Sequence, residues 1–191
     1  MSENQHQEEL DLFYQKMELV RGQVIYYREH ELFTWQWWFL IALTIVPWLL
    51  WFLVRRKDIQ ARLLLGGLFS ALIALVLDLI GSQFGVWRYG IKAVPSVPPL
   101  IPYDLTLIPV TYMLVRQYCK SDAVFVRGTL VLSAGAAFVF EPILEYINVY
   151  HSHYWEHYFS FPIYFLIYMS ANKISSISGW NAYNRRSGSL Q

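Results

Sequence analysis

The sequence predicts an all-α protein, a polytopic transmembrane helical bundle of about five spans. Its N-terminus is expected outside and its C-terminus in the cytoplasm, with an amphipathic helix before the first span. Three observations predict this. Of 191 residues, 55% are hydrophobic and 15% charged, where an ordinary soluble domain carries about 25% charged residues. Apolar runs near 20 residues recur, long enough for a helix to cross about 30 Å of hydrocarbon with its backbone polar groups satisfied internally. Basic residues collect on alternate connections between those runs.

Residues 1–34 form a polar extracytoplasmic tail. Within it Leu10, Phe13, Met17, Val20, Val24 and Tyr27 recur at spacings of three and four, the a/d pattern of about three heptads. Such a stripe suits either an amphipathic helix on the bilayer surface or a short coiled coil that pairs protomers or captures a partner. The surface reading is preferred here, because three heptads are marginal for an isolated coil and Leu12 and Leu19 broaden the stripe. The chain opens MSENQHQEELD, acidic and without the basic n-region of a signal peptide.

The bundle is expected over residues 35–172. The first span, 35–54, is WQWWFLIALTIVPWLLWFLV, uncharged and opened by a tryptophan cluster suited to the interface. The second is about 61–80, with Asp78 near its far end. The third, about 105–119, is short. The fourth, about 124–150, is long enough to tilt. The fifth, about 158–171, is short again. A cytoplasmic tail, 173–191, closes the chain. Arg55, Arg56, Lys57, Arg62, Arg116, Lys120, Arg127, Lys173, Arg185 and Arg186 fall on one side, against Lys16, Arg21, Arg28, Arg88 and Lys92 on the other. The positive-inside rule places the first group in the cytoplasm, and an odd number of spans agrees.

Two stretches echo one another. Asp78 is followed after nine positions by Trp87, and Glu145 after ten by Trp155; each tryptophan lies in an aromatic loop that leads to a proline-bearing span. Two hairpins inserted alike would form a parallel repeat. By topology Asp78, Asp104, Glu141 and Glu145 share the outer half of the bundle. Ionisable groups at that depth are costly against lipid, so they turn to a cavity or a partner. Glu141 and Glu145 are four apart and share a helix face; the pair repels, which favours one keeping a proton. Arg88 is the nearest counter-charge. Trp87, Tyr89 and Trp155, with Tyr103, Tyr150 and Tyr154, lie at the same level and can wall an apolar or cationic ligand or form an interfacial belt. The candidate ligand-binding residues are therefore Asp78, Trp87, Arg88, Tyr89, Asp104, Glu141, Glu145 and Trp155. Prolines 47, 109, 142 and 162 each fall in a different span and bend it. The apolar loop PSVPPLIP, residues 95–102, is expected to lie over the cavity as a lid.

A net charge of +1 gives no field for nucleic acid. The single Cys119 makes no internal disulfide or cysteine metal motif. No nucleotide fingerprint or nucleophile elbow is present, and no cofactor is expected. His151, His153 and His157 are the weak metal candidates of the HSHYWEH loop. The expected partners are the lipid bilayer and, through the N-terminal helix, a further copy of the chain or another protein. The function expected is recognition of a small apolar or cationic ligand, or of a partner, at the outer cavity. The alternatives are a membrane-embedded enzyme acting on an isoprenoid or lipid by acid catalysis from Glu141 or Glu145, and a transport subunit.

The stretches DLIGSQFGVWRYG, PYDLTLIPVTYM, FVFEPILEY and YWEHYFSFPIY resemble a family of small uncharacterised multi-pass membrane proteins of endospore-forming Gram-positive bacteria. The resemblance covers about residues 35–172. It rests on Asp78, Gly81, Trp87, Tyr89, Pro102, Asp104, Pro109, Glu141, Pro142, Tyr150, Trp155 and Pro162. It implies a bacterial plasma-membrane location. A second likeness is to the lycopene cyclase domain, whose helical hairpins carry an aspartate, a downstream Trp-x-aromatic and a proline followed by acids. Asp78, Trp87 and Tyr89 fit; Pro102-Tyr103-Asp104 offers one acid where that family has two. This likeness implies shared architecture, not a shared reaction.

Overall fold

The structure is a computed structural model that describes residues 3–176. The part of the expected cytoplasmic tail beyond residue 176, with Arg185 and Arg186, lies outside the described residues. A long helix α1 (Glu3–Tyr26) ends in a π-helical turn, Tyr27–Glu31. Then come α2 (Trp35–Val54) and α3 (Gln60–Gln83). A second π turn, Tyr103–Leu107, leads into α4 (Ile108–Tyr118). The helix α5 (Asp122–Tyr146) contains a third, Ala136–Phe140. Helix α6 (His157–Ser175) completes the bundle.

Three helices, α2, α3 and α5, are long and apolar enough to cross a membrane. Their outward faces are apolar too: Leu49 and Leu53 on α2, Leu68, Leu72 and Val76 on α3, and Val131 and Val139 on α5 are exposed. A soluble bundle turns such residues inward, whereas a bundle in lipid has no reason to. The chain has the pattern of a membrane protein.

Polar ties fix how the helices run. Thr106 Oγ1 donates to the Thr44 carbonyl (3.1 Å), and Gln117 Nε2 donates to the Val54 carbonyl (2.9 Å), so α2 and α4 run alongside in the same direction. Arg62 at the start of α3 donates to the Ser175 carbonyl at the end of α6 (2.9 Å). Near the other end of α3, Asp78 and Gly81 share a cavity with Ser160 and Ile163 of α6. From α2 to α6 the helices thus alternate in direction. Arg56, Arg62 and Arg116 collect at one end, and Asp78, Asp104, Glu141 and Glu145 at the other.

The close contact of α3 with α4 depends on glycine. A Cβ on Gly66 would run into the Tyr112 ring, and Gly67 lies under Met113. The buried positions of α3, among them Leu63, Gly66, Gly67, Ser70, Ala71, Ala74, Asp78 and Gly81, lie on one face of the helix. Small residues there let the backbones approach.

Three expectations are corrected. Helix α2 covers the residues expected of the first span, but α5 starts at Asp122, because the Ser121 hydroxyl accepts from Val124 N–H and caps it. It also stops at Tyr146: Asn148 adopts a positive φ of 60°, and residues 147–150 leave the helix. The chain is not purely helical either. A short strand β1 (Trp87–Tyr89) pairs antiparallel with β2 (Tyr150–Ser152), Tyr89 opposite Tyr150. The two echoing hairpins are joined to each other through their loops, a pairing that hydropathy does not encode.

Candidate functional site

Two π turns place the acids. Ile108 N–H bonds to the Tyr103 carbonyl and Glu141 N–H to the Ala136 carbonyl, each five residues back. Pro109 and Pro142 follow directly. A proline lacks the N–H that the preceding turn would use, and the wider π turn takes up the misfit. The result is the same in both helices: an acid, Asp104 or Glu141, is delivered next to the distortion and toward the interior.

Asp78 is the best-tied side chain of the site. Its Oδ1 accepts from Trp87 Nε1 (2.6 Å) and Tyr89 OH (2.5 Å), and its Oδ2 accepts from Leu100 N–H (2.7 Å). Side chains alternate along a strand, so Trp87 and Tyr89 reach inward together and Arg88 between them is exposed. Gly81 makes this possible, since a Cβ there would occupy the Trp87 ring position. The bond to Leu100 pins the 95–102 loop over Asp78, and Leu100 is itself buried.

Asp104 is buried with its carboxyl against that of Asp78. Its Oδ2 has no hydrogen-bond partner among the described residues. A second cluster lies across the cavity. His157 Nδ1 is 2.8 Å from Glu141 Oε2, and His157 Nε2 is 3.2 Å from Glu145 Oε2. Tyr164 OH donates to Glu141 Oε1. The side chains of Glu145, His157 and Glu141 are 40%, 25% and 7% exposed in turn. A continuous polar chain therefore runs from the surface at Glu145 through His157 and Glu141 to Tyr164 on the cavity wall.

Between the clusters is a cavity of about 280 Å³. Asp78, Asp104, Trp87, Tyr103, Tyr164 and Trp155 are among its walls. The Trp87 and Trp155 rings meet edge-on at 5.2 Å, and the Tyr89 and Tyr150 rings are tilted to one another at 5.9 Å. Leu77 and Ile80 also line it, and both are exposed on the outer side of α3. The cavity therefore reaches the lateral face of the bundle between α3 and α6.

Of the candidates read from sequence, Asp78, Trp87, Tyr89, Asp104, Glu141 and Trp155 all line this cavity. Two do not. Arg88 faces a separate groove beside His151, and it is His157, not Arg88, that lies against the glutamates. Glu145 lies behind His157. Trp155 Nε1 donates to Ser160 Oγ (2.8 Å), not to an acid, so the echo with Asp78 and Trp87 is incomplete. His151, His153 and His157 do not converge: His157 bridges the glutamates, His151 pairs across the strands with Arg88, and His153 packs on Tyr154. Burial lowers the His151 pKa, and the Arg88 charge lowers it further. No three metal-binding side chains are grouped to hold an ion among the described residues.

Tyr164 and Ser160 carried no expectation from sequence, and His157 was expected only as a weak metal candidate. The signal available for them was helical spacing, since 157, 160 and 164 are three and four apart and share a face of α6.

No family model, curated protein or solved structure matches the chain.

Proposed function

We propose that this is a five-span protein of the bacterial plasma membrane that binds one end of an apolar, lipid-borne molecule in its outer-half cavity. The alternating helices and the basic residues at one end support five spans with that end in the cytoplasm. The resemblance to small multi-pass proteins of endospore-forming bacteria supports the location.

The observation that carries the ligand class is how the acids are used. Asp78 is saturated by three protein donors. Glu141 is engaged by His157 and Tyr164. Carboxylates so occupied are poor counter-ions for a free cation, which favours an apolar ligand over a cationic one. The remaining wall is mostly aromatic and aliphatic, and the opening past Leu77 and Ile80 faces the side from which a lipid-borne molecule would arrive. Pockets for whole drug-sized ligands run about 300–1,000 Å³. This volume fits the end of a chain rather than a complete lipid. Asp104 Oδ2 offers one polar anchor, for a hydroxyl or similar group.

The test is mass spectrometry of organic extracts from protein purified out of its own membrane. One apolar species should be enriched with wild-type protein and lost with Trp87→Ala. A profile identical to bulk lipid in both would refute the reading.

Asp104 also supports a second reading, acid catalysis on an alkene of an isoprenoid or lipid. A buried carboxyl that opens on an apolar cavity is placed to donate a proton to a ligand there. Transfer of that proton to an alkene carbon leaves a cation that the Trp87 and Trp155 rings can stabilise. Return of a proton to the carboxylate closes an isomerisation with no net proton consumed. A protonated-carboxyl infrared band that disappears in Asp104→Asn would favour this over binding alone; absence of the band would exclude it.

A further inference from the structure

We propose that the molecule bound in the cavity is a neutral long-chain alcohol, its hydroxyl held by Tyr150 and Asp104. The inference rests on the reading of the cavity as the site of an apolar ligand, and names the head group that ligand carries.

Most polar groups on the cavity wall are already spent. Trp87 Nε1 and Tyr89 OH donate to Asp78 Oδ1. Glu141 is held by His157 and Tyr164. Trp155 Nε1 donates to Ser160 Oγ, and the Tyr103 hydroxyl lies against that of Tyr164. Two groups are left over. Asp104 Oδ2 is an acceptor without a donor. The Tyr150 hydroxyl has no hydrogen-bond partner among the described residues.

Strand register turns Tyr150 inward. It stands opposite Tyr89 in the β1–β2 pair, and residues directly opposite carry their side chains on one face. Tyr89 reaches Asp78 from that face, and Tyr150 packs beside it and lines the cavity. Tyr150 is 7% exposed and Asp104 3%. A donor and an acceptor so buried are costly to leave unpaired, and a ligand that pairs both removes that cost.

The wall also decides the charge of the head group. Among the described residues it holds Asp78, Asp104 and Glu141 and no lysine, arginine or histidine. A carboxylate or phosphate there would meet three acids and no counter-charge. A cation would find Asp78 and Glu141 engaged by protein donors. A hydrocarbon pairs neither free group. An ether or ketone oxygen accepts from Tyr150 but has no hydrogen to give Asp104. A hydroxyl donates and accepts at once and carries no charge.

The experiment uses the full chain in nanodiscs of one phospholipid. Hexadecanol, hexadecyl methyl ether, hexadecane and hexadecanoic acid are offered in equal amounts, and the excess bound over empty discs is measured by gas chromatography. The alcohol should exceed each of the others about tenfold, the scale of one buried hydrogen bond left unmade. Tyr150→Phe removes a hydroxyl that no protein group uses, so the fold keeps its own bonds while the alcohol falls to near parity with the ether. Asp104→Leu should lower the preference likewise. Equal excess of alcohol, ether and hydrocarbon would overturn this inference and leave the apolar-ligand reading standing. A preference for the acid, or an alcohol preference unchanged in either variant, would overturn it as well. No excess of any probe would refute both.

Discussion

Asp78 illustrates how a single residue organises the site. Three donors converge on it from β1 and the 95–102 loop. A hydrogen bond to a charged group contributes about 1.5–3 kcal/mol, and an orphaned buried donor costs about 1–3 kcal/mol. Asp78→Ala strands all three and should lower stability by several kcal/mol, read as a large fall in melting temperature. Asp78→Asn keeps one acceptor and should fall between. A wild-type melting temperature in Asp78→Ala would show that the three bonds are not formed. Asp78 was legible in the sequence because an aspartate in an apolar span needs a partner, and Trp87 and Tyr89 were legible from their company. His157 was not: a histidine in an aromatic loop carries no mark of which acid it will meet, and Arg88 carries the more obvious charge. Strand alternation, once known, explains why Arg88 is the residue left outside.

The helices show what hydropathy resolves and what it does not. Residues 35–54 are α2 as expected, since Thr34 caps its start and Arg55 ends its apolar run. The second helix runs further than the expected span at its far end, because Gly81, Ser82 and Gln83 continue α3 beneath the Trp87 ring. The π turns beside Pro109 and Pro142 were expected only as bends. A proline marks where a helix bond is missing, but not whether the chain kinks or widens. Glycine spacing on α3 makes a sharper prediction at this scale. Gly66→Ala drives a Cβ into Tyr112, and overpacking costs about 1–3 kcal/mol. Gly22→Ala in α1 meets nothing within 4 Å and should stabilise that helix by about 0.5–1 kcal/mol. Thermal unfolding in detergent should move the two variants in opposite directions. Equal behaviour would mean that α3 and α4 are not in contact at Gly66.

For the whole molecule, the class of fold follows from composition: too few charges for a soluble surface, and apolar residues on the outside of α2, α3 and α5. The pairing of the two loops through β1 and β2 does not follow from it, because three-residue strands leave no period to read. Yet that pairing closes one end of the bundle and brings the two hairpins' aromatic residues and acids around one space. The central claim is that this space receives an apolar molecule from the bilayer. A crystal structure of the protein grown in a lipidic phase, after purification from its own membrane, tests it most directly. The account predicts elongated density entering between α3 and α6 past Leu77 and Ile80 and ending within hydrogen-bond distance of Asp104 Oδ2. A cavity filled by ordered water bridging Asp104 to Glu141, or closed by the Trp87 and Trp155 rings, would contradict it.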